Sequence, residues 1–181
     1  MPPFVVMIRK RSTTSDDQAK IAISLVQRIP FNGNKYTRTA TDWFYPYETV
    51  HNTRGSAADK SILLAYILNE LGHESVLFEF SDHMAVGVKS PSGYSFYDTG
   101  YAFIETTQPT IITYEPDTLM AVSGYLQIPI VFIGAEEKGI LDVSAEYSDA
   151  LRMKQLEEMG GSLNQSYRAE LVKISDKYDL N

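Results

Sequence analysis

The chain has 181 residues, of which 44% are hydrophobic and 22% charged, and its formal net charge at pH 7 is −7. This balance predicts one folded domain with a sizeable core, and it argues against nucleic acid as a partner because phosphate binding needs clustered Lys and Arg. The sequence has no cysteine, which excludes disulfides and thiolate metal sites, and we expect no metal and no cofactor. No apolar run approaches the roughly 20 residues that cross a bilayer. We therefore predict a soluble domain without a membrane span. The sequence does not indicate its compartment, and the domain could be part of a larger or membrane-associated parent.

The first third of the chain predicts a leader, a helix and a long loop. Residues 1–14 are expected to be a leader or edge segment, with a β-prone run at 5–8. Ser15 is a plausible N-cap for a helix whose apolar residues recur at helical spacing and which Pro30 should end. Residues 32–54 are rich in Asn, Gly, Thr, Tyr and Pro and predict a long loop, a feature that is often functional.

A second helix should lie at the centre of the fold. It is predicted to run from Ser56 to Leu71, is apolar on most faces, and is followed by Gly72 as its stop. Beyond it the hydrophobic period changes from that of a helix to that of a strand, with turn residues between the runs. The predicted strands are 76–80, 83–88, 94–97, 101–107 and 128–133.

The tail predicts two more helices, the first beginning at Ser144, with a break at 160–161. The second carries an apolar stripe, which we expect to pack on the same domain; a connector to a missing partner is the alternative. The stripe consists of Leu163, Tyr167, Leu171 and Ile174. The order of elements predicts an α+β fold in which a buried helix packs on an antiparallel sheet. We assign residues 15–135 to this core and 136–181 to a C-terminal helical extension.

The start of the central helix is the natural place for a nucleophile. Unpaired N–H groups and the helix dipole lower the pKa of a thiol there, and the same N–H groups can hold an oxyanion. A partner base must come from elsewhere in the fold, and His83 opens the next pair of predicted strands. A third polar group should then orient that imidazole.

The chain contains, in this order, the segments 26–31, 45–49, 55–64, Gly72, 83–88 and 101–107. Together they resemble the bacterial and archaeal branch of the transglutaminase-like, papain-type cysteine peptidase superfamily. The family pattern is Gly-x-Cys-x-Asp at the helix, a His on the following strand, and an acidic residue followed by Thr on the next. The resemblance covers about residues 16–107 and implies a papain-like or transglutaminase-like fold. It also implies a cysteine peptidase that acts on a peptide or protein, its own flanking segment included.

The departure from the family is the nucleophile, because the family's Cys falls on Ala57 and an alanine methyl cannot attack a carbonyl. One explanation is a deliberate Cys-to-Ala change that inactivates a peptidase; the other is a natural, non-catalytic peptide-binding protein. The retention of His83 and Glu105 favours the first explanation. Ser56 is a poor substitute nucleophile, since it is one position away and is better explained as the helix N-cap.

The resemblance implies roles for several other residues. His83 would be the general base and Glu105 the group that orients it, with Asp98 as the alternative acid in a turn motif. Backbone N–H groups of Ser56 and Ala58 would hold the oxyanion. The only tryptophan, Trp43, would be a wall or an oxyanion donor, or else a hydrophobic anchor of the loop.

Three further residues have weaker assignments. Gln27 is a candidate for the substrate wall, although a mid-helix Gln is usually solvated, and His51 and His73 are expected at the surface. The predicted function is amide hydrolysis through a Cys-His-Glu/Asp triad, inactive in this sequence. A protein-glutamine acyltransferase is the other alternative, since water or an amine can release the acyl group.

Overall fold

The computed structural model describes residues 3–33, 43–80, 83–115, 130–131, 138–160 and 163–180. These residues form an α+β fold in which helices pack on an antiparallel sheet, as predicted. The helices are α1 (Pro3–Arg9), α2 (Ser15–Gln27), α3 (Pro46–Asn52), α4 (Ala57–Leu71), α5 (Ser144–Glu158) and α6 (Gln165–Tyr178). The strands are β1 (Ser75–Glu79), β2 (Met84–Lys89), β3 (Tyr101–Ile104) and β4 (Ile130–Val131).

The sheet has the strand order β3-β2-β1-β4, and each neighbouring pair is antiparallel. Its side chains alternate between two cores, as the period of a strand requires. Leu77 pairs with Val86 and Val86 with Ile104, and all three face the main core with α4. The intervening residues form an aromatic cluster on the opposite face, so the central strands are covered on both sides. The cluster comprises Val76, Phe78, Phe80, Ala85, Phe96, Tyr101 and Phe103.

Helix α4 is the predicted central helix, and its ends are fixed by local chemistry. Ser56 is the N-cap, and its hydroxyl accepts from the backbone N–H of Asp59 while the Asp59 carboxylate accepts from that of Ser56. Gly72 ends the helix with a φ of 96°, a left-handed conformation that suits glycine. Leu64 and Leu68 are fully buried between α2 and the sheet, which confirms the predicted position of this helix.

Two predictions in the first third of the chain were wrong. The run 5–8 belongs to helix α1, and Val5 and Ile8 are buried at helical spacing in the main core. The segment 32–54 includes helix α3, which Pro46 begins at a position where its missing N–H costs nothing. Residues 34–42 of the predicted loop lie outside the described residues.

The predicted strand 94–97 was also wrong. The chain instead makes two short 3-10 turns, Ser92–Tyr94 and Phe96–Asp98, and Tyr97 adopts a left-handed φ of 43° that a strand cannot contain. The expectation for His73 fails as well. This residue is buried at 1% exposure, and its Nε2 lies 2.8 Å from Ser15 Oγ. Ser15 itself is the first helical residue, with Thr14 as the N-cap.

The other boundaries agree within a few residues. Of the predicted strand 128–133, Ile130 and Val131 form β4 and the rest lies outside the described residues. The apolar stripe of α6 packs on the same chain as expected, against Ile111, Ala150 and Leu156. Within the described ranges, no helix combines the length and the apolar character needed to cross a membrane.

Candidate active site

The centre of the candidate site is a buried pair, His83 and Glu105. His83 immediately precedes β2 and Glu105 immediately follows β3, so the antiparallel pairing of these strands brings the two residues to one end of the sheet. His83 Nε2 lies 2.9 Å from Glu105 Oε2, and the two side chains are 11% and 4% exposed. A carboxylate oxygen only accepts, so His83 Nε2 carries the proton that it donates, and Nδ1 is on the other side of the ring.

The second carboxylate oxygen of Glu105 is held by three donors. Oε1 accepts from the backbone N–H groups of Thr106 and Thr107, at 2.9 and 2.7 Å, and from the Thr107 hydroxyl at 2.6 Å. Burial alone would raise the pKa of Glu105, but the hydrogen bonds and charge of His83, with the Thr107 bonds, hold this pKa below its usual value. An ionised, immobilised carboxylate can orient an imidazole and stabilise its charged form.

Asp98, the alternative acid, does not share this environment. It is exposed, it lies in a 3-10 turn with a left-handed φ of 56°, and the described hydrogen bond of the His83 ring is donated to Glu105. The turn explains Asp98 without any role at the site.

Helix α4, which begins at residue 57, contacts the two segments that carry the pair. Ser61 donates to the Met84 carbonyl at 2.9 Å and lies 3.0 Å from the Thr106 hydroxyl. Met84 and Thr106 are the residues that follow the two members of the pair. Ala57 is the first residue of α4, is 6% exposed, and lies one helical turn before Ser61 on the same face. Residue 57 therefore lies at the helix N-terminus, on the helix face that Ser61 shares.

The backbone around Ala57 includes donors for an oxyanion, but Ser56 is not among them. The Ser56 N–H already donates to Asp59 Oδ2 at 2.9 Å as part of the capping box. The N–H groups of Ala57 and Ala58 belong to the first helical turn, where an α-helix has no carbonyl to accept them. These two amides are candidate oxyanion donors at the helix start.

Trp43 and the next residue anchor the preceding segment to the helix start. The indole of Trp43 is half-buried and, like Ala58, packs against the main core. The Phe44 N–H donates to Asp59 Oδ1 at 2.7 Å. Asp59 thus ties together the helix cap and the segment that leads to it, which accounts for a fully buried carboxylate at this position.

Gln27 is held by buried hydrogen bonds near the acidic member of the pair. The residue is 5% exposed, so the expectation that it is solvated fails. Its Nε2 donates to the Glu105 carbonyl at 2.9 Å and to the Thr110 carbonyl at 3.1 Å. The amide therefore fixes the backbone of the acidic residue.

Two functional candidates, Lys60 and Ser61, were missed from the sequence. Lys60 is fully buried, and its Nζ donates to the backbone carbonyls of Gln27 and Ile29 at 3.1 and 2.6 Å. Burial lowers the pKa of Lys60 to about 8, against the opposing effect of the Glu105 charge. The available signal was two polar residues, Lys60 and Ser61, between the helix cap and a continuous apolar run.

The described part of the chain contains no group of three or more His, Asp or Glu side chains that could hold a metal ion. No protein-family model matches the sequence, and no curated protein matches it. Among solved structures, calcium-bound LapG of Legionella pneumophila is similar, with 14% sequence identity and a TM-score of 0.42 over 83% of this chain and 98% of that one. A likeness at this level does not establish shared function, and the α+β architecture stands on the elements described above.

Proposed function

We propose that this chain is a cysteine-dependent peptidase domain in which alanine occupies the nucleophile position, residue 57. The observation that carries the proposal is the His83–Glu105 pair, whose side chains are 11% and 4% exposed, together with the Ser61 contacts that join the central helix to the residues after the pair. A charged carboxylate and an imidazole, both sequestered in a core, are costly to keep for stability alone. A base that is oriented by an acid next to a helix N-terminus is what thiol catalysis needs.

The chemistry applies to a chain with cysteine at position 57. His83 Nδ1 takes the thiol proton, and Glu105 stabilises the imidazolium that results. The thiolate attacks an amide carbonyl, and the N–H groups of Ala57 and Ala58 are placed to bind the oxyanion. The imidazolium returns its proton to the leaving amine as the C–N bond breaks, leaving a thioester. Water, deprotonated by His83, then cleaves the thioester to release the acid and restore the thiol.

Ala57 itself favours one other function, a peptide-binding protein without turnover. A methyl group cannot form the thioester, so the chain as written should hold a substrate at the site without cleaving it. Acyl transfer differs from hydrolysis only in the last step, where an amine rather than water attacks the thioester.

Mass spectrometry of Ala57→Cys incubated with a peptide pool separates these functions, with the parent chain as the matched control. New fragments with Ala57→Cys and none with the parent support a peptidase, and fragments of the chain itself support self-processing. Products that carry an added amine indicate acyl transfer. Peptides retained by both proteins without cleavage favour the binding protein and contradict the peptidase.

A further inference from the structure

A line of buried polar groups connects the central helix to the acidic member of the pair. Lys60 Nζ on α4 donates to the Gln27 and Ile29 carbonyls at the C-terminal end of α2. The Gln27 side chain then donates to the Glu105 carbonyl. The line therefore runs from the helix that bears residue 57, through the end of α2, to the backbone carbonyl of Glu105, the residue whose carboxylate accepts from His83.

The sheet does not by itself fix the position of Glu105. Strand β3 ends at Ile104, so Glu105 is the first residue beyond the strand pairing with β2. Its carbonyl is held by Gln27, whose amide also donates to Thr110 in the segment that follows. Without that amide, the Glu105 carbonyl would lose the hydrogen bond that links it to α2.

Burial makes the lysine hard to explain as a general stabiliser. An ammonium group removed from water costs free energy, and a hydrophobic residue of similar volume usually fills a core position as well or better. Lys60 is 0% exposed, and its pKa is lowered by that burial. It donates to the carbonyl of Gln27, the last residue of α2, where a helix leaves its carbonyls unpaired, and to that of Ile29, just after the C-cap.

We infer that Lys60 and Gln27 are positioning residues that hold Glu105, and through it the His83 imidazole, in the orientation required for proton transfer at residue 57. Lys60 fixes the end of α2, and Gln27 transmits that position to Glu105. The catalytic consequence rests on the proposed peptidase function, whereas the positioning itself does not.

The positioning is tested in the chain as it is, by following the His83 Nε2–H proton in ¹⁵N-edited NMR spectra. Lys60→Met and Gln27→Met remove the donors while keeping similar volumes. Ser75→Ala is the matched control, since Ser75 is an equally buried polar residue bonded to the other half of α4. We expect solvent exchange of the Nε2–H proton to be faster by roughly tenfold or more in both methionine variants, because a loosened acceptor frees the ring, and unchanged in Ser75→Ala.

Unchanged exchange in the folded methionine variants would overturn the inference. Gln27→Met decides the matter if Lys60→Met does not fold, because Gln27→Met leaves both lysine contacts in place. In the Ala57→Cys background, the same substitutions should slow thiol alkylation at neutral pH by roughly ten- to a hundredfold and displace its pH profile. If Ala57→Cys shows no activated thiol while the exchange effect is present, the positioning holds and the peptidase function fails. If the thiol is activated but neither the exchange rate nor the alkylation rate changes in the methionine variants, the peptidase function holds and the positioning fails.

Discussion

Replacing Lys60 with methionine should remove a pH-dependent part of the free energy of unfolding. In the folded chain burial lowers the Lys60 pKa from 10.5 to about 8, whereas in the unfolded chain the side chain keeps its ordinary value. Between these two values the unfolded state binds more protons than the folded state. The parent therefore gains stability as the pH rises through this range, because burial of a charged ammonium is no longer required.

The size of this gain follows from the difference between the two pKa values. Each tenfold change in proton affinity corresponds to about 1.4 kcal/mol. Relative to low pH, where Lys60 is protonated in both states, the gain in the free energy of unfolding is near zero at pH 7 and roughly 2.5 kcal/mol at pH 10. The carbonyls of Gln27 and Ile29, which lose a donor in Lys60→Met, add a cost that does not vary with pH. The pH dependence of the difference between the two proteins thus isolates the lysine.

Urea unfolding followed by circular dichroism at pH 7, 8, 9 and 10 measures this difference. The free energy of unfolding of the parent minus that of Lys60→Met should increase with pH, most steeply above pH 8. Lys173→Met, at an exposed position on α6, is the control for the loss of a surface lysine. A difference that stays constant or decreases with pH would refute the assignment of Lys60 as a buried, proton-releasing group.

Two further predictions concern the acidic member of the pair and the sheet beside it. Because the pKa of Glu105 is held below its ordinary 4.5, its stabilising effect is complete above that pH and is lost as the pH falls through the lower folded value. The free energy of unfolding of the parent minus that of Glu105→Gln should therefore decrease from pH 5 toward pH 3. A difference that does not change over this range would contradict the lowered pKa of Glu105. Gly87→Ala should lower stability by roughly 1–3 kcal/mol in thermal unfolding, since a new Cβ would lie 2.7 Å from Phe78 Cζ. Gly93→Ala, which meets nothing within 4 Å, is the matched control and should cost far less.

The parts of the fold that the sequence predicted are those fixed by local chemistry. The cap at Ser56, the stop at Gly72 and the apolar run between them are all contained in one short segment, so helix α4 could be placed closely. The pairing of His83 with Glu105 also follows from strand periodicity, because both residues stand at the same end of neighbouring strands.

The missed features depend on contacts between distant segments. The run 5–8 is composed of β-prone residues, but burial of Val5 and Ile8 against other helices favours a helix there. His73 follows a helix stop and resembles a loop residue, yet α2 and the backbone of Gly139 cover it. The roles of Lys60 and Gln27 require knowing that the end of α2 lies beside α4, which no local pattern in the chain records.

The pH dependence of thiol alkylation in Ala57→Cys, with and without His83→Ala, tests the central claim most directly. The account predicts rapid alkylation at pH 6, at least roughly tenfold above that of an ordinary thiol of pKa about 8.5, because His83 and the helix N-terminus stabilise the thiolate. That excess should disappear in Ala57→Cys/His83→Ala. An alkylation profile that follows an ordinary thiol and does not respond to His83→Ala would contradict a catalytic site at this helix end.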